Sequence, residues 1–254
     1  MIPLLAPIFQ GEWARHGESL QCSSRRPADA VVLADLLHGS GLLTPLLRRH
    51  ARHLGVAGQD QRAAASAWSL RYLWALLLPV VAAASLLHHR FEVGAAHIAV
   101  RFNEHGEVAG FHISQQGQAL PGSGTALRYE SLLHDHLDPL FAAIHQHTRL
   151  ATKILWGNTA RHLETIFSQA LRLAGPVPGL VEDRTALLDR PAWPDGRDNP
   201  MHRRQAAAPA AGLLTLHRQC CLSYLLPGEG YCGACPLDPR HGKPCRHQAA
   251  TGPA

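Results

Sequence analysis

The stretch QRAAASAWSLRYLWALLLPVVAAASLLHH, residues 61–89, decides the fold of this chain. Alanine, leucine, valine and tryptophan fall on every side of a helix drawn through it, a pattern typical of a helix that other elements enclose. Its most apolar part, 73–87, reaches about 22 Å at ~1.5 Å per residue, which is shorter than the ~30 Å hydrocarbon core of a bilayer, and Pro79 interrupts it. We therefore predict a buried core helix, with a peripheral contact to an anionic membrane face as the alternative.

The composition is that of a globular protein. Hydrophobic residues make up 46% of the 254 residues and charged residues 17%, which is too apolar for a disordered chain and too weakly charged for a coiled coil. The formal net charge is +5 with histidine neutral, but lysine and arginine form no dense block, so we expect no nucleic-acid partner. The first residues lack the basic start and continuous apolar stretch of a signal peptide, and we expect a cytoplasmic location.

Patterns on both sides of the core stretch predict a mainly helical protein with a small antiparallel β-hairpin or sheet, an α+β class. Apolar spacing broken by glycines predicts two short helices over 27–55. Alternation around the turn at 103–106 predicts a hairpin over about 93–115. Two amphipathic helices are predicted over 128–150 and 154–175.

We predict three parts along the chain. Residues 1–26 are expected to be an irregular lead, and residues 27–204 a mostly helical body that contains the hairpin. Residues 205–254 are expected to form a C-terminal cysteine-rich module with its tail. The alanine- and proline-rich run just before the module is typical of a linker.

Cysteines are concentrated at the C-terminal end. Five of six lie in the last 35 residues, and four of them follow the pattern Cys220-Cys221, ten residues, Cys232-Gly-Ala-Cys235. Cytoplasmic thiols are kept reduced, so such a group more often binds a metal than forms disulfides. Neighbouring cysteines in extended backbone point to opposite sides, which suits a single zinc ion poorly, whereas a two-iron cluster spreads four thiolates over two irons. Spacing alone leaves an iron-sulfur cluster, zinc, and redox or structural thiols open.

The run HRQCCLSYLLPGEGYCGACPL, residues 217–237, resembles the C-terminal signature of the FhuF family of ferric siderophore reductases, in which this cysteine spacing holds a 2Fe-2S cluster. The stretches KILWGNTARHL, residues 153–163, and RDNPMHRR, residues 197–204, resemble segments that the family carries ahead of its cluster. The resemblance implies that the cluster ligands are Cys220, Cys221, Cys232 and Cys235.

The same resemblance implies a cytoplasmic enzyme that transfers one electron to Fe(III) in a siderophore, typically of the hydroxamate type, and so releases Fe(II) for iron assimilation. Such a reaction is chemically sound because hard, charged oxygen donors bind ferric ion more tightly than ferrous ion. No Gly-x-Gly-x-x-Gly fingerprint follows a predicted strand, so we expect a separate electron-donor protein or reductant.

Two other functions are consistent with the sequence. One is a zinc-stabilised protein that binds or handles siderophores without catalysis. The other is an accessory protein of siderophore biosynthesis, since siderophore synthetases contain a related helical region, although the chain has no recognisable ATP-phosphate loop.

Several further residues are candidates for lesser roles. Cys22 and Cys245 are expected to be ordinary thiols, with a fifth ligand or a resolving thiol as the alternative for Cys245. Trp156 is expected in the core, and Asn158 as a helix cap or as a hydrogen-bond donor near the cluster.

Histidines and arginines form two further groups. Histidines eleven residues apart share a helix face but lie three turns apart, too far to chelate one ion, so we expect surface or core side chains. These are His134, His136, His145 and His147. Four arginines are consistent with a basic rim that attracts an acidic donor or an anionic chelate, and equally with an ordinary solvated face. These are Arg197, Arg203, Arg204 and Arg218.

Overall fold

Helices dominate the computed structural model, which describes residues 1–38, 41–193, 195–202 and 216–241. The α-helices are α1 (Ala14–Gly17), α2 (Leu33–Leu37), α3 (Leu43–His53), α4 (Arg62–Leu86), α5 (Thr125–Leu132), α6 (Asp138–Thr148), α7 (Thr152–Ala174) and α8 (Pro178–Arg184). The strands are β1 (Leu20–Cys22), β2 (Val31–Val32), β3 (His89–Arg90), β4 (Ile98–Phe102), β5 (Val108–Ile113) and β6 (Gln118–Ala119). The predicted α+β class is confirmed, and the two short helices over 27–55 and the helices over 128–150 and 154–175 are present.

Helix α4 is the buried centre of the molecule, as predicted. It has 25 residues and continues through Pro79, so it is longer than the apolar stretch 73–87 on which the sequence argument relied. By length and composition it could cross a membrane, so helix length does not exclude a span. Instead, 67% of its most apolar window is buried inside the protein, and this burial is what marks it as a core helix.

A small mixed sheet packs beside α4. The predicted hairpin is confirmed, because β4 and β5 pair antiparallel with Val100 opposite Phe111. At its turn, the Asn103 side chain accepts hydrogen bonds from the backbone N–H groups of His105 and Glu107. Strand β2 extends the sheet antiparallel to β4, but β1 pairs parallel with β5. The expected purely antiparallel sheet is therefore corrected to a four-stranded mixed one of order β1-β5-β4-β2.

The first 26 residues are more ordered than the irregular lead expected from the sequence. They contain two short 3-10 turns, helix α1 and strand β1. Ile2, Leu5, Phe9 and Leu20 are buried in the main core. Scattered apolar side chains, which show no helical or strand period, therefore anchor this segment by burial. The linker expected just after 204 lies outside the described residues.

Helix α5 continues through a π-helical turn, Leu133–Leu137, into α6. A buried polar network joins this region to α4 and α8. Asp183 accepts hydrogen bonds from Arg128 Nη2 and Thr125 Oγ1 at 2.6 Å each, and from Ser85 Oγ at 2.7 Å. Both ionic side chains are fully buried, and Asp183 links α8 to α4 and α5.

Candidate iron-sulfur site

The four motif cysteines lie together in the segment 216–241, outside the helical body. Cys220, Cys221 and Cys235 are buried, whereas Cys232 is partly exposed. All four are free thiols in the structure. The site is therefore a group of four thiols with one member close to solvent.

The backbone is kinked just after the two adjacent cysteines, Cys220 and Cys221. Leu222 adopts a left-handed conformation with φ of 64°, which is unusual for a residue other than glycine. Its N–H group lies 3.3 Å from Cys220 Sγ and donates to it. A 3-10 turn, Ser223–Leu225, follows directly and places Ser223 Oγ 3.5 Å from Cys221 Sγ. The kink thus gives each of the two adjacent sulfurs a polar neighbour of its own.

The second cysteine pair closes against the first. The Cys235 N–H donates to the Cys232 carbonyl at 2.9 Å, forming a tight turn. The His217 N–H donates to the Ala234 carbonyl at 2.8 Å, which ties the two arms of the motif together. As a result, Cys235 Sγ lies 3.5 Å from Cys220 Sγ.

The separation of the Cys220 and Cys235 sulfurs fits two thiolates that share one metal. Two thiolates on one tetrahedral metal, with bonds of about 2.3 Å, stand about 3.8 Å apart, so Cys220 and Cys235 lie at chelating separation. Within the described ranges, no three histidine, cysteine or acidic side chains surround one point closely enough to hold a single metal ion. A 2Fe-2S cluster takes two thiolates at each iron, and the Cys220 and Cys235 sulfurs fit one such pair.

Two contacts hold the cysteine segment on the helical body. Leu226 is buried in a small apolar cluster with Ala51 of α3 and Ala63 and Ala64 of α4. On α7, Gly157 lies so close to Gln219 that a Cβ atom there would stand 2.7 Å from Gln219 Cβ. The missing side chain of Gly157 therefore allows the residue just before Cys220 to pack directly on the helix.

The environment of the two adjacent thiols is asymmetric. Burial raises the pKa of Cys220 to about 12, with the neighbouring Cys235 adding to the effect. Burial also opposes ionisation of Cys221, but hydrogen bonds with Ser223, and then the Arg161 guanidinium, outweigh it and lower the pKa. The pKa of Cys232 is raised by burial and by the Cys221 thiolate, while Arg161 opposes that rise. Positive charge thus acts on the Cys221 and Cys232 side.

The three stretches that carry the family resemblance meet at this site. Stretch 153–163 belongs to α7, which contacts the cysteine segment through Gly157. In the stretch beginning at 197, the buried Asn199 side chain donates to the carbonyls of Leu187 and Arg190. Arg218 Nη1 donates to the Pro200 carbonyl at 2.7 Å, which links that loop to the cysteine segment.

The expectation for Asn158 is wrong on both counts. Asn158 lies inside α7 rather than at its start, and its buried amide donates to Ser66 Oγ and Ser69 Oγ of α4 at 3.0 Å each. It therefore joins the two long helices of the core. Trp156 is buried in the core, as expected.

The predicted histidines have local partners and do not converge on one point. The ring nitrogens of His134 lie within 3.2 Å of the carboxylates of two aspartates, His136 is a fully buried core residue, and the other two bond to nearby oxygens. The partners in order are Asp138 and Asp195 for His134, Tyr72 and Val93 for His136, Leu150 for His145, and Thr44 for His147.

The other candidates lie apart from the cysteines or outside the described residues. Cys22 is in β1, and burial raises its pKa. Arg197 is half exposed and forms an ion pair with Asp195 at 2.9 Å. Outside the described residues lie Arg203, Arg204 and Cys245. A basic rim therefore stays a prediction.

Sequence reasoning missed Gly157 and Arg161 as parts of the site. They stand four residues apart in the stretch 153–163 and so share a face of α7. That spacing was the available signal, but only the fold shows that this face meets the cysteines.

Comparison with known proteins supports the same assignment. Residues 66–212 match a family described as ferric iron reductase FhuF-like transporter, and residues 218–237, which include all four motif cysteines, match the FhuF 2Fe-2S C-terminal domain. The chain is 27% identical over 246 residues to the ferric siderophore reductase of Escherichia coli (strain K12), which covers 92% of this chain and 91% of that protein.

A solved structure shares part of the fold. Aerobactin synthetase IucA from a hypervirulent pathotype of Klebsiella pneumoniae superposes with a TM-score of 0.55 at 17% identity. The match covers 69% of this chain and spans 37% of the synthetase chain. At that identity the likeness is one of fold alone.

Proposed function

Because this chain belongs to the FhuF family of ferric iron reductases, we propose that it is a ferric siderophore reductase. Its 2Fe-2S domain and its similarity to a ferric siderophore reductase along nearly the whole chain identify an oxidoreductase that acts on siderophore-bound iron. The observation that carries the proposal is the group of four thiols, with Cys220 and Cys235 at 3.5 Å.

Four side chains hold the cofactor in this proposal: Cys220, Cys221, Cys232 and Cys235. When bound, a 2Fe-2S cluster supplies one electron at a time. That electron converts siderophore-bound Fe(III) to Fe(II), and the oxygen donors, typically hydroxamates, then bind the iron less tightly. No covalent bond of the siderophore has to break. The protein therefore needs to position the cluster and admit the chelate, without a nucleophile.

The exposure of the site supports a short path to the substrate. Cys232 is partly exposed, whereas the other three cysteines are buried. In the same segment, Tyr231, Leu225 and Leu237 leave much of their apolar surface in solvent. A chelate that docks on this face approaches the cluster at Cys232. The helical body meanwhile shields the opposite side.

A separate donor protein or reductant replaces the electron, since the sequence contains no dinucleotide-binding fingerprint. We place the reaction in the cytoplasm, where thiols such as those described here stay reduced. Cell fractionation checks this: we expect the protein in the soluble fraction, and release from membranes by a salt wash indicates peripheral association. Recovery of the protein in the periplasmic or outer-membrane fraction contradicts the proposed location.

The activity is tested on protein purified without air. We expect two irons and two sulfides per chain, colour that bleaches with dithionite, and recovery of colour when a ferric hydroxamate siderophore is added. A ferrous chelator should then report one Fe(II) for each cluster oxidised. Cys221→Ser should lose the cluster and the reaction, and the matched control Cys22→Ser should keep both.

Two outcomes overturn the proposal. Colourless protein with one zinc ion and no iron identifies a zinc-stabilised siderophore-handling protein. A loaded cluster that siderophores do not oxidise identifies a different role, of which an accessory role in siderophore biosynthesis is consistent with the synthetase-like fold.

A further inference from the structure

Arg161 has two buried hydrogen-bond donors that the protein does not use. Its Nε and Nη2 atoms are inaccessible to solvent, and neither has a hydrogen-bond partner among the residues that the structure describes. An arginine stays charged in proteins, and burying an unpaired charged donor is costly. An acceptor at this position is therefore needed to explain the side chain.

The position of Arg161 indicates which acceptor that is. It lies on α7 four residues after Gly157, so both residues share the helix face on which Gln219 packs. From that face the guanidinium lowers the pKa of Cys221 through a side-chain hydrogen bond and its charge, and it lowers the pKa of Cys232 through its charge. Four thiolates at one site carry negative charge, and sulfur atoms of a cluster accept hydrogen bonds.

We propose that Arg161 is a positioning residue for the cluster, whose Nε–H and Nη2–H groups donate to sulfur atoms on the Cys221 side and stabilise its reduced form. The proposal rests on the 2Fe-2S assignment and goes beyond it by naming the residue that adjusts the electron affinity of the site. Reduction adds one negative charge, so a fixed positive charge nearby favours the reduced state.

The Cys220 side is stabilised in a different way. There the Leu222 N–H donates to Cys220 Sγ at 3.3 Å and lowers the pKa of that thiol against the larger effect of burial. A backbone N–H thus acts on Cys220, and a guanidinium acts on Cys221 and Cys232. This asymmetry predicts that removal of Arg161 changes the spectrum as well as the potential.

The test compares holoprotein of the wild type, Arg161→Gln, Arg161→Lys and the control Arg172→Gln. Arg172 is exposed and lies three turns further along the same helix. In a redox titration followed by EPR, R161Q should show an approximately tenfold lower ratio of reduced to oxidised cluster at a fixed potential, equivalent to about 59 mV for one electron. R161K should recover most of the potential because it keeps the charge. R172Q should match the wild type.

A second measurement keeps the test decisive if R161Q does not retain a cluster. Wild-type protein with 15N-labelled arginine is reduced and studied by pulsed EPR, which detects nitrogen nuclei close to the cluster. We expect a 15N coupling in the wild type and in R172Q, and its loss in R161K.

Failure of this proposal is distinguishable from failure of the proposed function. Wild-type protein without iron and sulfide overturns the cluster itself. A loaded wild type without 15N coupling, or a loaded R161Q with wild-type potential and EPR spectrum, overturns only the role of Arg161.

Discussion

At the scale of single residues, the absence of a side chain at Gly157 allows the cysteine segment to pack directly on α7. We expect Gly157→Ala to reduce cluster occupancy and to lower the free energy of unfolding by about 1–3 kcal/mol, because the new Cβ stands 2.7 Å from Gln219 Cβ. Helix propensity alone has the opposite effect, since alanine inside a helix is favoured over glycine by about 1 kcal/mol. A lower free energy of unfolding in G157A is therefore due to the contact with Gln219 and not to helix propensity. Iron content and urea unfolding of the purified protein measure both effects.

Rescue distinguishes this contact from a general defect. Replacing Gln219 by glycine in the G157A background removes the opposing Cβ atom and should restore cluster occupancy. Gly58→Ala is the control, because its nearest neighbouring atom would be 3.9 Å away. If G157A binds as much iron as the wild type, the close approach of Gln219 is not required.

The same residues show what the sequence can reveal about a site. The cysteine spacing is local, and together with the family resemblance it predicts the four cluster ligands, of which the structure places Cys220 Sγ and Cys235 Sγ 3.5 Å apart. Gly157 and Gln219 are 62 positions apart, so their contact exists only once α7 and the cysteine segment have packed. Asn158 illustrates the same limit, because a residue typical of helix caps was used here to join two buried helices.

At the scale of elements, Asp183 attaches α8 to α4 and α5. Asp183→Asn should lower the free energy of unfolding by about 3–5 kcal/mol, because it leaves the fully buried Arg128 without a counter-charge. The control is Asp189→Asn, since Asp189 pairs with Arg184 where both side chains are substantially exposed. That change should cost less than about 1 kcal/mol. Urea unfolding followed by helical circular dichroism measures both variants, and equal losses would show that burial of the pair is unimportant.

Elements were predictable where their signal is local. Helical periodicity located α5, α6 and α7, and the hairpin β4–β5 follows from alternation around a turn. Strand β1 has only three residues, and Phe111, which pairs with Leu20, lies 91 positions later. A local sequence pattern therefore does not predict this strand. Its parallel pairing depends on the burial of the first residues against the core, which is a tertiary effect.

At the scale of the whole molecule, buried neutral histidines couple stability to pH. Burial lowers the pKa of both His136 and His162 to about 4 from the ordinary 6.5. Burial outweighs the hydrogen bond from His136 Nδ1–H to the Val93 carbonyl, which by itself raises the pKa, and in the neutral ring Nε2 accepts from the Tyr72 hydroxyl. Between these two pKa values the unfolded chain binds more protons than the folded one. The free energy of unfolding therefore falls as the pH falls from about 6.5 towards 4.

The linkage predicts how the free energy of unfolding changes with pH, rather than its value at one pH. For each such histidine, moving from pH 7 to pH 5.5 should cost about 1 kcal/mol of unfolding free energy. His136→Gln should reduce the loss over that range by about this amount, whatever its effect at pH 7, because glutamine takes up no proton on unfolding. His97→Gln, which removes an exposed imidazole, is the control for the substitution itself. Urea unfolding of the three holoproteins at both pH values measures the slopes, and any contribution from the cluster is common to all three. If H136Q retains the wild-type slope, the proton taken up on acid unfolding binds elsewhere, and the burial of His136 does not govern the acid sensitivity of the fold.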